Sequence, residues 1–154
     1  MTGREFRENL HGDSVMLGTL IVSTSPFWPK LVAGSGLDFV FIDTEHIAID
    51  REHLSWMCRT YGAMGLPPLV RISEPNPYLA TMAYDDGATA VVAPYIEEVE
   101  QVSWLCGAGK KRPLKGKRLT DALEGNSLEP DLDAYIKKGT TENSVVINVE
   151  SRPA

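Results

Sequence analysis

Cysteine is scarce in this chain: Cys58 and Cys106 are the two it has, and their spacing matches neither a metal site nor a redox pair. Two thiols kept reduced in a cytosol are the expected reading. Long apolar runs are also missing. No stretch approaches the ~20 apolar residues that a membrane helix requires. The opening Met1-Thr-Gly-Arg-Glu-Phe-Arg-Glu-Asn is too charged for a secretory leader. Positive charge is not in excess either. The net charge of -6 argues against a general nucleic-acid binder. No Gly-x-Gly-x-x-Gly follows the first strand-like segment and no Gly-x4-Gly-Lys-Ser/Thr occurs, which removes the main support for nucleotide binding. Asn-Gly hairpin signals, internal repeats and low-complexity linkers are absent. What is left is a soluble cytoplasmic domain with no membrane or nucleic-acid partner, ordinary in its 43% hydrophobic and 23% charged residues.

Strand-like and helix-like segments alternate along it. Leu17 to Ser23 reads as a first strand, rich in Leu, Ile and Val. Ser25 is an N-cap before Pro26 at a first helical position, and the helix runs toward Gly34 and Gly36. Phe39 to Asp43 is the second strand. Asp50 caps a helix whose apolar face is Leu54, Met57, Cys58 and Tyr61, and Gly65-Leu-Pro-Pro68 stops it. Leu69 to Ile72 is the third strand, and Asn76-Pro77 opens the next helix. Ala90 to Ala93 is the fourth strand, followed by a helix carrying Val99, Val102, Leu105 and Cys106 on one face. A basic loop from Lys110 to Arg118 leads to helical stretches near Leu119 to Leu123 and Leu128 to Ile136. Val145 to Val149 is the fifth strand. The tryptophans Trp28, Trp56 and Trp104 all fall on helices and read as packing residues. This βαβ alternation predicts an α/β protein with a parallel sheet and right-handed crossovers. An open doubly wound sheet and part of a (β/α)8 barrel both satisfy it.

The segment Phe39-Val-Phe-Ile-Asp-Thr-Glu-His46 is the most telling. An apolar run this short reads as a strand buried on both faces, and it ends in two carboxylates and an imidazole. The carboxyl ends of strands are where α/β proteins keep their chemistry. Other strand ends add polar groups: Arg71 in Leu-Val-Arg-Ile, and Asn148 and Glu150 in Val-Ile-Asn-Val-Glu. Strand side chains alternate with a period of two, so Asn148 and Glu150 share a face. A carboxylate, an arginine and a histidine suit metal-assisted chemistry on an anionic oxo acid. Plainer readings exist for each residue. His46 alone is a surface or hydrogen-bonding residue, Arg71 an ion-pair partner for a helix, and Glu150 an exposed terminal group. Asp85 and Asp86 form a polar helix end with Gly87 as its C-cap. The basic loop holds six of the fifteen basic residues within nine positions but no aromatics. A solvated loop at a subunit contact or near an anionic substrate fits it better than nucleic acid.

Asp43-Thr-Glu-His46, Val70-Arg71, Asp85-Asp-Gly-Ala88 leading to Val92-Ala-Pro94, and Asn148-Val-Glu150 occur here in an order that resembles the HpcH/HpaI aldolase/citrate lyase family. Arg112-Pro-Leu-Lys-Gly-Lys-Arg118 looks like the basic loop of its pyruvate-aldolase branch, nearest the macrophomate synthase-like members. The resemblance runs from about Leu17 to Ala154. It implies a class II aldolase on a TIM barrel, in which Mg2+, Mn2+ or Co2+ chelates pyruvate and an aldehyde is the second substrate. Residue by residue, it implies Glu150 as a metal carboxylate, Arg71 as the enolate-stabilising arginine, His46 as general base and Asp85 as the aspartate orienting it. Asp43 and Glu45 fall in the supporting shell. Asn148, a substrate contact, stands where many members have Gln.

A (β/α)8 barrel takes about 250 residues, and five strands are legible here. No residue matches the family's second metal carboxylate, and one Glu is a poor site for a dication that prefers six oxygens. Residues 1–154 therefore read as a single incomplete barrel domain, either the N-terminal part of a longer lyase or a truncated relative that completes itself as a homo-oligomer. The isolated monomer is expected to have little aldolase activity. A non-catalytic half-barrel that serves as an interaction module is the competing expectation.

Overall fold

In the computed structural model, which describes residues 1–152, five parallel strands form one sheet in the order β1-β2-β3-β4-β5. They are β1 (Gly18–Ile21), β2 (Phe39–Asp43), β3 (Pro68–Arg71), β4 (Ala90–Ala93) and β5 (Ser144–Ile147). The helices are α1 (Gly3–Leu10), α2 (Trp28–Val32), α3 (Arg51–Ala63), α4 (Pro77–Asp86), α5 (Val99–Lys110), α6 (Gly116–Leu123) and α7 (Pro130–Thr140). Sequential strands pairing as neighbours through helical crossovers is the arrangement of a partial barrel, as expected.

The strand sequences show why both faces bury. Val40 and Ile42 of β2, Val70 of β3, Val91 and Ala93 of β4 and Val145 of β5 face the helices, packing with Leu54, Met57, Cys58 and Tyr61 of α3 and Ala80, Ala83 and Tyr84 of α4. The alternate residues Phe39, Phe41, Leu69, Ala90, Val92 and Val146 face the other way and form a second cluster with Phe6 of α1. In barrel terms this is the inner face, and α1 plugs its N-terminal end. Phe6 is fully buried and meets the Phe39 ring edge-on at 5.9 Å.

Local signals set most boundaries. Asp50 accepts the His53 N–H at 2.8 Å and starts α3, while Asn76 accepts from Tyr78 and Leu79 ahead of Pro77. Gly87 ends α4 at φ 109°, and a Cβ there would lie 3.3 Å from the Cys58 Cβ, so glycine answers both conformation and space.

Several expectations are corrected. Helix α1 adds an element to the expected alternation, with Thr2 and Glu5 forming a capping box around its start. Helix α2 begins at Trp28 with Pro29 in its first turn, because Pro26 and Phe27 form a turn first. Strand β5 stops at Ile147, and only the Asn148 N–H, bonded to the Ala93 carbonyl at 2.9 Å, extends its ladder. Of the face expected on α5, Leu105 is buried and Val102 packs against the core, but Val99 is exposed, and Gly107, Ala108 and Gly109 are buried in addition. The basic loop is partly helical: Lys110 ends α5, and Lys117 and Arg118 lie in the first turn of α6. Trp28 is exposed rather than packed, whereas Trp56 packs against the core.

Tyr61 is the largest fully buried side chain, yet its hydroxyl has no hydrogen-bond partner among the described residues. Removing that oxygen relieves an unmatched polar group. Tyr61→Phe is therefore expected to leave the urea midpoint unchanged or raise it. Met57→Ala, in the same core, should lower stability by about 2–5 kcal/mol.

Candidate active site

The register of β2 against β3 sets Asp43 directly beside Arg71. Both project to the inner face at the carboxyl end of the sheet, where Arg71 also lies 5.8 Å from the Phe41 ring centre. Arg71 donates from Nε to Asp43 Oδ1 at 3.0 Å and from Nη2 to Oδ2 at 2.6 Å, a two-point fork. The expectation of an arginine paired to a helix is thus corrected: its partner is the last residue of the neighbouring strand. Among the described residues no protein acceptor engages Nη1, so the guanidinium keeps donors for an incoming anion.

Asp43 also shapes the loop after β2. Its Oδ1 accepts the N–H of Glu45 at 2.9 Å and that of His46 at 3.4 Å. Thr44 fastens the same turn to β3, its N–H and hydroxyl both donating to the Arg71 carbonyl, at 3.0 and 2.6 Å. Burial alone would push the Asp43 carboxyl up, but the Arg71 fork and the two loop N–H groups outweigh it and hold it below the usual carboxylate range. Arg71 is held correspondingly above its ordinary value, by Asp43 first and with Glu45 and Glu150 contributing.

The turn brings Glu45 inward and leaves His46 at the mouth. The Glu45 side chain is 7% exposed, and its Oε2 lies 3.1 Å from Arg71 Nε without forming a hydrogen bond. His46 Nε2 is 3.4 Å from Glu45 Oε1 while its ring is 66% exposed. A carboxylate beside an accessible imidazole is an arrangement that can orient the ring for proton transfer.

From β5, Glu150 reaches back to the end of β4, its Oε2 accepting the Tyr95 N–H at 2.8 Å, and Asn148 Nδ2 lies 3.5 Å from Glu150 Oε1. Tyr95 is an addition to the residues that the sequence singles out. It follows Pro94 with φ 54°, a left-handed backbone that costs a side-chain-bearing residue roughly 1–2 kcal/mol. The Glu45 carboxylate beside its phenol holds the Tyr95 pKa above its ordinary value. The signal available in sequence was its position just past a strand end.

Asp85 is not brought to His46. It sits in the last turn of α4, its carboxylate against Arg112 and its carbonyl accepting from Arg59 Nη2 at 3.2 Å. A crossover helix returns the chain to the start of the next strand, and Thr89, two residues past Gly87, bonds to Pro68 at the start of β3. Asp85 therefore lies toward the opposite end of the sheet, in the polar helix end that was its plainer reading.

The divalent cation that the sequence resemblance implies does not fit the residues present. Among the described residues no three of His, Cys, Asp and Glu converge as a metal group, and one Glu150 oxygen is already taken by the Tyr95 N–H.

No family model matches the chain. A curated relative, the 2-dehydro-3,6-dideoxy-6-sulfogluconate aldolase of Pseudomonas putida, is 28% identical over 145 residues, covering 94% of this chain and 56% of that protein. The crystal structure of the citrate synthase SbnG aligns with TM-score 0.73 at 28% identity, over 94% of this chain and 55% of that one. An HpcH/HpaI aldolase/citrate lyase family protein from Burkholderia cenocepacia J2315 aligns with TM-score 0.75 at 24% identity, over 97% of this chain and 61% of that chain. The chain is similar to an aldolase over nearly its whole length and shares the fold of an HpcH/HpaI aldolase/citrate lyase family protein. It spans about half the length of the relatives it matches. Within this shared fold, the ends of β2 and β3 and the loops after them supply the cluster around Arg71.

The fork between Asp43 and Arg71 has a readable pH signature. The folded chain holds the proton off Asp43 more strongly than the unfolded chain, so the pair's contribution is complete above about pH 4 and is lost as pH falls through the depressed folded value. Asp43→Asn is expected to lower stability by roughly 1–3 kcal/mol at pH 7, less than a fully buried pair because Arg71 is 20% exposed. Urea unfolding at pH 7, 5 and 3 checks this, and the gap between the variant and the native chain should narrow below pH 4.

Proposed function

We propose that this chain carries the proton-transfer and oxyanion-binding part of a carbon–carbon lyase. In this reading it is a pyruvate-dependent class II aldolase that forms or cleaves 2-oxo-3-deoxy acids with an aldehyde partner. The observation that carries the proposal is the convergence of Asp43, Glu45, His46, Arg71 and Glu150 at one end of the sheet's inner face. The aldolase named among the relatives supports the reaction class.

In this reading His46 takes a proton from the methyl group of pyruvate, and Glu45 holds the ring toward the substrate. The unengaged Arg71 donors receive the oxygen on which negative charge develops, and Asp43 fixes the fork so that no reorganisation is needed. Asn148 and Glu150 border the substrate on the β5 side. Mg2+, Mn2+ or Co2+ belongs to this proposal only with oxygen donors from outside the described residues, and no step is routed through it. Cytoplasmic location is proposed with it, supported by two unpaired thiols; no helix among the described residues is long and apolar enough to cross a membrane. Absence of nucleic acid is supported by the local pairing of the basic segment, Lys117 with Asp121 at 2.7 Å and Arg118 with Glu129 at 2.6 Å.

The two outer strands favour a second reading for the chain alone. Leu20 and Val22 at β1, and Ile147 and Val149 at β5, are exposed apolar groups beside unpaired strand edges. A half-barrel that associates with copies of itself, without catalysis, would cover them.

Exchange of the pyruvate methyl protons into deuterated water, followed by NMR with Mn2+, separates the two. Exchange by this chain alone is expected to be barely detectable. A chimera continuing from Ser151 with the corresponding part of the Pseudomonas putida relative should exchange, lose that with EDTA, and slow by about 10²–10⁴-fold in His46→Ala. A folded chimera that fails to exchange, or whose exchange ignores His46, would sink the lyase reading.

A further inference from the structure

The basic segment takes no part in the strand-end cluster, and Asp85 lies beside it. Between α4, α5 and the α5–α6 connection is a cavity of about 610 Å³, within the range of small-molecule sites. Met82, Trp104, Leu114 and Leu119 give it an apolar interior, and Arg51, Arg112 and Lys115 stand around it.

The charges are unevenly matched. Arg51 forks onto Asp86, at 3.1 Å from Nε and 3.0 Å from Nη2. Arg112 is held between Asp85 and the Tyr84 ring, whose centre is 5.9 Å away. Lys115 has no ion-pair or hydrogen-bond partner among the described residues and is exposed. Two cations are compensated and one is not, so the cavity carries a net positive charge on a chain whose total is -6. An apolar interior with one uncompensated cation at its edge is complementary to a ligand with an apolar body and a single negative group.

We propose that this cavity binds a small amphipathic monoanion, an aryl or alkyl carboxylate, with its body against Trp104 and Met82 and its carboxylate at Lys115. The site lies on the outer helical layer, so it stands or falls independently of the lyase reading. Its charge requirement also gives a use to the one segment of the sequence whose basic character the strand-end cluster leaves unexplained.

Titration of the isotope-labelled full chain with 2-naphthoate, read by two-dimensional amide NMR, tests it. Saturable shifts are expected at the Trp104 indole N–H and at the Lys115 and Gly116 amides. 2-Naphthylmethanol, the uncharged counterpart, should bind at least tenfold more weakly. Lys115→Glu should weaken naphthoate binding at least tenfold while leaving the rest of the spectrum in place, and Lys115→Ala should weaken it less. Shifts confined to the open strand edges near Leu20 and Ile147 would overturn the proposal. So would equal binding of acid and alcohol, or naphthoate binding that both Lys115 variants leave unchanged.

Discussion

The site depends on one interaction, the two-point pairing of Asp43 and Arg71 across adjacent strand ends. It is placed by sheet register, so a slip of one residue between β2 and β3 would send the two side chains to opposite faces. It fixes the guanidinium in orientation, anchors the loop that presents Glu45 and His46, and offsets the cost of burying the Asp43 carboxylate. Arginine suits this position better than lysine because a planar fork can meet a carboxylate at two points and still retain donors.

That pair exists because the sheet has two different buried faces. The face toward the helices is aliphatic and closed by α3, α4 and α5, whereas the inner face carries aromatic rings below and charged groups above. Phe41 lies between these zones, packing against the inner-face cluster in one direction and meeting Arg71 in the other. Helix α1 closes the opposite end, and so leaves the charged end as the accessible one. A five-stranded arc of this kind keeps two strand edges unpaired, consistent with a chain that spans about half the length of its relatives.

The legibility of the sequence was uneven for physical reasons. Phe39 to Asp43 and Ala90 to Ala93 were readable to the residue, because short apolar runs between turn residues admit few other structures. The start of α3 was equally plain from Asp50. Helix α1 is hard to see in the sequence because it is short, half of its residues are charged, and Phe6 is the one residue it buries. The position of Asp85 is hidden from the sequence for a different reason. It precedes β4 in the chain, but in a βαβ unit the residues before a strand lie at its start and those after it at its end. Tyr95 follows β4 and so lies at the end where its N–H meets Glu150.

By itself the sequence determined the α/β alternation, the parallel sheet and the set of polar residues that follow strands, since these depend on local propensity and periodicity. Only the tertiary structure decided which of those polar residues meet. Pairing Arg71 with Asp43, turning Glu45 inward and His46 outward, drawing Glu150 to Tyr95 and carrying Asp85 away to Arg112 all follow from strand register and helix direction. Those are relations between segments distant along the chain, and no local pattern of residues encodes them.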